Sequence, residues 1–308
     1  MRSVKCCALQ VVQELANSLR ILNLVPMKIT YKSLLAFSVA AFLTTHACFA
    51  GENNIQTASP QAPPIEKSAS PWHATLTEGW DSLYMNRGVN ILGGNSKYGS
   101  SLLWTDLTVT LNLTSNDFLT ADVWNAFGLG HGRYAETDAC LMYTHTFGNL
   151  FVWTGYMFCA MTSMQMYMNE LHAKVGYNID AGPVTITPSI AYFFDLGPDT
   201  MTMRSHGLTS SYLELRVDAS IPLYKEIVSL TPWISYGQNF RYNAQEKSDS
   251  ITAPFDGANN LEVGIALPIK VNRFITVSGY GSYSYNFENL VSTSPSTFWG
   301  GAKVSFAF

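Results

Sequence analysis

The most regular feature of this chain is an alternation of apolar and polar residues with a period of two. In the segment 213–221, Leu, Leu, Val, Ala and Ile occupy one set of alternate positions, and Glu, Arg, Asp and Ser occupy the other. Segments 103–113 and 261–269 repeat this pattern, and the final segment alternates until it ends on Phe308. A period of two separates the residue types onto opposite faces of a β-strand, so these segments predict strands with one apolar and one polar face.

Twelve such strands can be traced, joined by connections that alternate in length. They are predicted near 73–85, 101–113, 117–128, 133–147, 150–162, 166–180, 184–196, 210–222, 228–242, 258–270, 273–287 and 297–308. Short connections lie near 115–116, 148–149, 181–182, 225–226 and 272, and the long ones include 86–100, 196–210, 243–260 and 288–296. This alternation predicts an up-and-down order with all the short turns at one end, and the even strand number brings both termini to that end.

Composition places these strands in a membrane. Charged residues make up only 13% of the chain and aromatic residues another 13%, whereas soluble domains carry about 25% charged residues. Apolar residues that occupy every second position of many strands are typical of a membrane barrel. The sequence therefore predicts an all-β fold, a single transmembrane antiparallel up-and-down β-barrel of about 12 strands over 73–308. A secreted β-sandwich or calyx would show the same alternation, but the continuous apolar faces and the closure of sheet edges favour the barrel.

The region before the barrel has the layout of an export signal. Lys28 and Lys32 precede the apolar run 33–43, and small residues lead to a cleavage position after Ala50. This three-part order predicts a signal peptide over 27–50, with translation starting at Met27 and residues 1–26 forming an extension upstream of that start. Residues 51–72 are rich in Pro, Ser and Ala and predict a flexible periplasmic linker.

The predicted location is the bacterial outer membrane, with both termini in the periplasm. Outer-membrane lipid would surround the apolar faces of the strands. A closing strand that ends on an aromatic residue resembles the last strand of bacterial outer-membrane barrels, in which that strand carries the assembly signal. The resemblance implies that the barrel assembly machinery is a partner and that it recognises Phe308.

The polar faces of the strands would line the barrel interior, and their charged residues are mainly acidic. The predicted lining residues are Asp81, Asp106, Asp122, Glu136, Asp138, Glu170, Lys174, Asp195, Glu214, Arg216, Asp218, Glu262 and Lys303. Four tryptophans share this face, where they fill space or stack on sugars: Trp104, Trp124, Trp233 and Trp299. A water-filled pore with an acidic excess favours cations and neutral polar solutes. The net charge of −4 and the lack of a basic cluster argue against nucleic-acid binding.

These features predict a channel for passive diffusion of small polar solutes or cations, with a weak cation preference. One alternative is an occluded barrel whose extracellular loops bind a partner, since charges inside narrow barrels often form salt-bridged networks. Another is an outer-membrane lipid hydrolase, but none of the six histidines has a serine two positions later, the pair that this enzyme class commonly uses. We predict no enzyme, catalytic residue, metal or cofactor, and we interpret Glu170 and His172 as a lumenal pair.

The first strand and the start of its loop carry a short motif. Residues 79–88 read Gly-Trp-Asp-Ser-Leu-Tyr-Met-Asn-Arg-Gly. This resembles the G-[YW]-x-S-x-Y-x-x-R-G pattern of TorF-type porins, although Asn86 stands where an aromatic residue usually precedes the Arg. The resemblance covers this segment and the barrel layout, and it implies an outer-membrane channel. It also implies that Arg87 anchors the loop or charges a constriction.

Cys140 and Cys159 lie on consecutive predicted strands around the turn at 148–149. The simplest hairpin register places Cys140 opposite Met157 and leaves Cys159 two residues away on the same face. A disulfide in the oxidising periplasm would therefore need a small adjustment of that register.

Overall fold

The computed structural model describes residues 70–92, 101–130, 134–163, 166–196, 210–248, 251–291 and 294–308. Twelve long strands follow one another in these ranges. They are β1 Trp72–Asp81, β2 Leu102–Asn112, β3 Asp117–Gly128, β4 Ala135–Phe147, β5 Leu150–Met161, β6 Met166–Tyr177, β7 Val184–Asp195, β8 Ser211–Tyr224, β9 Val228–Ser248, β10 Ile251–Lys270, β11 Ile275–Asn286 and β12 Thr297–Ala307. A short strand, Ile179–Ala181, continues β6, and one helical turn, α1 Glu288–Val291, follows β11.

The twelve strands close into a single antiparallel barrel. Each strand pairs with its neighbours along the chain, and β12 pairs with β1 from Thr75 opposite Ala307 to Asp81 opposite Gly301. The Phe308 amide donates to the Ala74 carbonyl at 2.9 Å, which continues this ladder to the last residue. Closure leaves none of the twelve described strands with an unpaired edge, and the predicted fold class is confirmed.

The two faces of the barrel wall are the reverse of those in a water-soluble protein. On β8, Leu215 and Val217 are 41% and 40% exposed on the outer face. Between and beside them, Glu214, Arg216 and Asp218 are buried on the inner face. Ionised groups are rarely buried in soluble proteins, whereas a barrel in lipid carries its apolar band outside and its polar groups inside. Among the described residues, no helix is long and apolar enough to cross a membrane.

The connections lie at two unlike ends of the barrel. The turns after β2, β4, β6, β8 and β10 are short, and we call this the short-turn end, where both β1 and β12 have their outer termini. Gly148 and Gly182 have φ angles of 63° and 67°, and Lys225 and Glu226 have φ angles of 43° and 59°. Such left-handed residues match the twist of tight antiparallel hairpins. The opposite end, the long-loop end, carries the remaining connections.

Two predicted boundaries are wrong. The first strand was expected to reach residue 85, but β1 ends at Asp81. The segment 243–260 was expected to be a loop, but β9 and β10 continue as a hairpin to Ser248 and Ile251, with register shifts that include one between Phe240 and Ala244. Asn239 stabilises this irregular stretch, because its amide donates to the Asn243 and Phe255 carbonyls at 3.1 and 2.6 Å and its oxygen accepts from the Asn243 amide at 2.8 Å. Polar residues that suggest a loop in the sequence here satisfy the backbone of an extended hairpin.

Large aromatic side chains lie across glycines on the inner wall. Trp104 and Trp233 are opposite Gly79 and Gly264 in the strand register. A Cβ atom on Gly79 would lie 2.2 Å from the Trp104 ring, and one on Gly264 would lie 2.0 Å from the Trp233 ring. These indoles, together with Trp124 and Trp299, are buried inside the barrel. The glycines therefore give the indoles room to lie flat against the wall.

The predicted extension, the signal peptide over 27–50 and the linker up to residue 69 lie outside the described residues. They stay predictions.

Candidate functional site: an inserted loop and a charged interior

The connection after β1 turns back into the barrel. Its residues 82–92, which we call the inserted loop, form a small hairpin in which Met85 pairs with Asn90 and Asn86 with Val89. Arg87 and Gly88 form the tip, with φ angles of 47° and 80°. A non-glycine residue in this left-handed region is uncommon and is held there by its surroundings. The surroundings of Arg87 therefore identify what keeps the loop inside.

One side of the inserted loop packs on an aromatic part of the inner wall. Tyr84 is 1% exposed, and its ring centroid lies 6.1 Å from that of Trp124 and 5.9 Å from that of Tyr134. Leu92 belongs to the same buried cluster, together with Trp104 of β2. Burial of such large apolar side chains stabilises the inserted position, since each removes apolar surface from water.

The tip of the inserted loop carries a buried ion pair. The Arg87 guanidinium donates from Nη1 and Nη2 to the two carboxylate oxygens of Glu170 on β6, both at 2.8 Å. Glu170 is fully buried and also accepts from the Tyr242 hydroxyl at 2.6 Å. Its other contact is His172 Nε2, 2.7 Å away. A bidentate pair with these further partners is the geometry in which a buried ion pair stabilises a unique arrangement.

Aromatic rings surround the same guanidinium. The Arg87 Cζ atom lies 4.2 Å from the Phe193 ring centroid, 4.5 Å from that of Tyr242 and 5.6 Å from that of Tyr212. These rings come from β7, β9 and β8, so the cation is held between the wall strands on that side. A cation–π contact in such a desolvated setting contributes about 2 kcal/mol or more.

Asparagines hold the backbone of the loop tip. The Arg87 carbonyl accepts from the amides of Asn259 and Asn243 at 2.7 and 3.3 Å. The Gly88 carbonyl accepts from the Asn286 amide at 2.7 Å and from the Ser294 hydroxyl at 3.0 Å. Strands β9, β10 and β11 thus hold the loop from the side opposite the cluster that contains Tyr84 and Trp124. The inserted loop therefore crosses the interior near the long-loop end. Sequence reasoning missed these asparagines, although the four asparagines within 239–260 were a signal.

The structure places every predicted lining residue on an inward-facing position of its strand. Nine are buried: Asp81, Glu136, Asp138, Glu170, Lys174, Glu214, Arg216, Asp218 and Glu262. Four are partly buried: Asp106, Asp122, Asp195 and Lys303. Whether water and solutes run along these side chains stays a prediction.

Arg216 and Asp218 form a second buried ion pair, on β8. The Arg216 Nε lies 3.0 Å from both Asp218 oxygens, and its Nη2 donates to Oδ1 at 2.8 Å. Glu262 of β10 lies nearby and accepts from Trp233 Nε1 at 3.1 Å and from Ser282 at 2.8 Å. The Arg216 charge is thus matched by Asp218 in direct contact, and Glu262 adds a further carboxylate to this wall.

The wall formed by β1 to β3 has a different character. Asp81 accepts from the Tyr280 hydroxyl, and Asp122 accepts from Thr108 at 3.1 Å. Asp106 and Asp122 are neighbours there, and Lys303 of β12 is the cation that interacts with both Asp106 and Asp81. Three acidic side chains therefore share one nearby ammonium group on this wall.

The predicted disulfide does not form, and this expectation is corrected. Cys140 and Cys159 are buried thiols that are not joined to each other. The hairpin register is the simple one, with Cys140 opposite Met157 and Asp138 opposite Cys159, so no adjustment brings the sulphurs together. The Cys159 thiol instead donates to Glu136 Oε1 at 3.1 Å.

Comparison with known proteins finds likeness in fold and not in sequence. No protein-family model matches the chain, and no curated protein matches its sequence. The COG4313 outer membrane channel from Pseudomonas putida F1 aligns over 77% of this chain and 96% of its own, with 8% identity and a TM-score of 0.50. The NanC porin aligns over 76% of this chain and 98% of its own, with 10% identity and a TM-score of 0.46. At 8% identity the likeness to the COG4313 channel shows the barrel fold alone.

Proposed function

We propose that this protein is an outer-membrane channel through which small polar solutes diffuse passively, with a weak preference for cations. The observation that carries the proposal is the reversal of the two faces, with an exposed apolar outer wall around a charged interior. Each ionised group is costly to bury unless water or a partner compensates it, and a water-filled interior supplies that compensation. The fold shared with outer-membrane channels and the motif at 79–88 support the same conclusion.

The cation preference follows from how the interior charges are paired. The Arg87–Glu170 and Arg216–Asp218 pairs cancel their own charges. What remains is mainly carboxylate, above all Asp81, Asp106 and Asp122 on one wall. Negative charge on a low-dielectric wall raises the local concentration of cations and lowers that of anions.

The inserted loop narrows this route near the long-loop end. It touches β2 and β3 on one side and β6 to β11 on the other, so a solute has to pass beside it. In this proposal the Arg87–Glu170 pair sets how far the constriction opens. The long-loop end faces the outside of the cell, both termini lie in the periplasm, and the barrel assembly machinery recognises the strand that ends at Phe308.

The second candidate function is an occluded barrel that acts through its long loops. The observation in its favour is the same inserted loop, because a buried bidentate pair and several asparagine contacts hold it across the interior. The two functions differ in one property, the passage of ions through the folded barrel.

The test is the reversal potential of the refolded protein in planar bilayers under a salt gradient. We expect discrete currents and a potential that shows weak cation preference. Glu214→Gln should move the potential towards neutrality, because it removes interior negative charge. The matched control is Glu226→Gln, in the exposed turn between β8 and β9 at the short-turn end, which should leave the potential unchanged. A folded barrel without current would favour the occluded function, and an anion-selective current would contradict the assignment of the acidic wall.

A further inference from the structure

Three donor groups converge on the inner wall of the β4–β5 hairpin. Glu136 and Asp138 alternate along β4, and Cys159 lies opposite Asp138 on β5. One ligand atom from each side chain lies within 4.8 Å of the other two. All three residues are fully buried. The strand ladder fixes this arrangement, because alternate residues of a strand and the residue opposite them must share one face.

The neighbours of this group are rich in sulphur. Cys140, Met157, Met161 and Met168 are buried in one cluster with Cys159. Elsewhere the described interior is lined mainly by carboxylates, amides, hydroxyls and indoles, so sulphur is concentrated at this place. Thioethers and thiols also serve as adaptable packing groups. What distinguishes this cluster is that one of its thiols hydrogen-bonds to a carboxylate and lies opposite another.

We propose that Glu136, Asp138 and Cys159 bind a thiophilic divalent cation of the zinc class. A thiolate with two carboxylates is a donor set that Zn²⁺ accepts, whereas Ca²⁺ and Mg²⁺ prefer oxygen ligands alone. Zinc bonds of about 2.0–2.3 Å place tetrahedral ligand atoms about 3.5 Å apart, so the three donors need to converge by about 1.3 Å at most. The distance of 3.1 Å between Cys159 Sγ and Glu136 Oε1 is already within the separation of two zinc ligands.

Binding exchanges a proton for the metal. The Cys159 thiol loses its proton to bulk water as the sulphur forms its bond with the cation, and no electron is transferred. The two carboxylates and the thiolate together carry three negative charges, of which a divalent cation neutralises two. The fourth tetrahedral position is left for water. The soft neighbours favour zinc and cadmium over hard cations of equal charge.

The site adjoins the constriction. On the β5–β6 pair, Cys159 is opposite Met168 and Met157 is opposite Glu170, the partner of Arg87. Tyr212 and Tyr242, whose rings surround Arg87, belong to the same buried cluster as Cys159. The three donors therefore lie beside the inserted loop, on the inner wall near the long-loop end.

The experiment is a metal titration of the purified, refolded and reduced protein, without any measurement of current. Zn²⁺ is titrated in competition with a chromophoric chelator, and Cd²⁺ is followed by its ultraviolet thiolate charge-transfer band. We expect one equivalent per barrel, no displacement by excess Mg²⁺, and a cadmium band in the wild-type protein. Cys159→Ser retains a hydrogen-bond donor to Glu136 but should lose the cadmium band. It should also weaken zinc binding by more than about 100-fold, because even the loss of a partner outside the ligand shell weakens metal sites by about 10–100-fold.

Cys140→Ser is the matched control, because it removes the neighbouring inward thiol and should retain the band and the stoichiometry. Asp138→Asn, which is close in size and shape, should weaken zinc binding without removing the cadmium band. Heat-modifiable mobility on gels establishes that each variant has folded. The proposal is overturned if the folded wild-type protein shows no cadmium band, or if Cys140→Ser loses it as completely as Cys159→Ser. Because the readout is binding, this result is independent of whether the barrel conducts.

Discussion

Replacing Arg87 should release the inserted loop while leaving the barrel intact. Arg87→Met removes two hydrogen bonds of 2.8 Å to Glu170 and the cation at the centre of three aromatic rings. The methionine side chain is apolar and similar in length to the aliphatic part of the arginine. No strand ladder of the barrel passes through Arg87, so the free energy lost belongs to the loop and not to the twelve-stranded sheet.

The size of the effect follows from the buried ion pair. Removing one partner of such a pair destabilises a structure by about 3–5 kcal/mol. We take the lower end, about 3 kcal/mol, because Tyr242 still donates to Glu170 and His172 stays in contact with it. Since about 1.4 kcal/mol corresponds to a factor of ten, the ratio of released to inserted loop should rise by about 100-fold or more.

Limited chymotrypsin cleavage after Tyr84 measures this ratio. Tyr84 is 1% exposed in the inserted loop, so cleavage there requires release, and its rate tracks the released population when opening and closing are fast. Arg87→Met should speed cleavage by about 100-fold, in line with the equilibrium shift. Arg273→Met, at an exposed arginine of the short-turn end, should leave the rate unchanged. A rate in Arg87→Met within a few-fold of wild type would refute the role of this ion pair.

Three further predictions concern the barrel wall. Val217→Arg on the outer face should destabilise the protein in lipid by about 2–4 kcal/mol in urea titrations, whereas Tyr224→Arg near the short turns should cost about 1 kcal/mol or less. Gly79→Ala should lower stability by about 1–3 kcal/mol in the same titration, because the new methyl group meets the Trp104 ring, while Gly279→Ala, with no atom within 4 Å, should not. Deletion of Phe308 should reduce the amount of heat-modifiable barrel in outer-membrane fractions, whereas refolding in detergent should persist.

Strand positions were largely predictable, because each depends on a local alternation of apolar and polar residues. The sequence of β8 already separates Leu215 and Val217 from Glu214 and Arg216, and in a wall with two unlike sides only one register satisfies both faces. The order of the strands also follows, since short connections force neighbours in sequence to become neighbours in the sheet. The extension of the β9–β10 hairpin beyond residues 242 and 258 was missed, because asparagines that satisfy a bulged backbone resemble those of a loop.

The position of the inserted loop could not be predicted from local pattern. Its contacts join Arg87 to Glu170, 83 residues away, and to Asn259, 172 residues away. The motif at 79–88 marked Arg87 but named no partner. The Glu136–Asp138–Cys159 group depends on contacts that are closer in sequence. The hairpin register that places Cys140 opposite Met157 also places Asp138 opposite Cys159, so a thiol facing a carboxylate could be predicted from the sequence.

The central claim is that ions pass through the interior of this barrel, and substituted cysteines test it most directly. In a background carrying Cys140→Ser and Cys159→Ser, Ser278→Cys places a thiol on the buried inner face, and Val277→Cys places one on the exposed outer face. The account predicts single-channel currents from both proteins and a stepwise fall in conductance with a bulky thiol reagent only for Ser278→Cys. Folded barrels that pass no current, or a Ser278→Cys current that the attached reagent leaves unchanged, would contradict it.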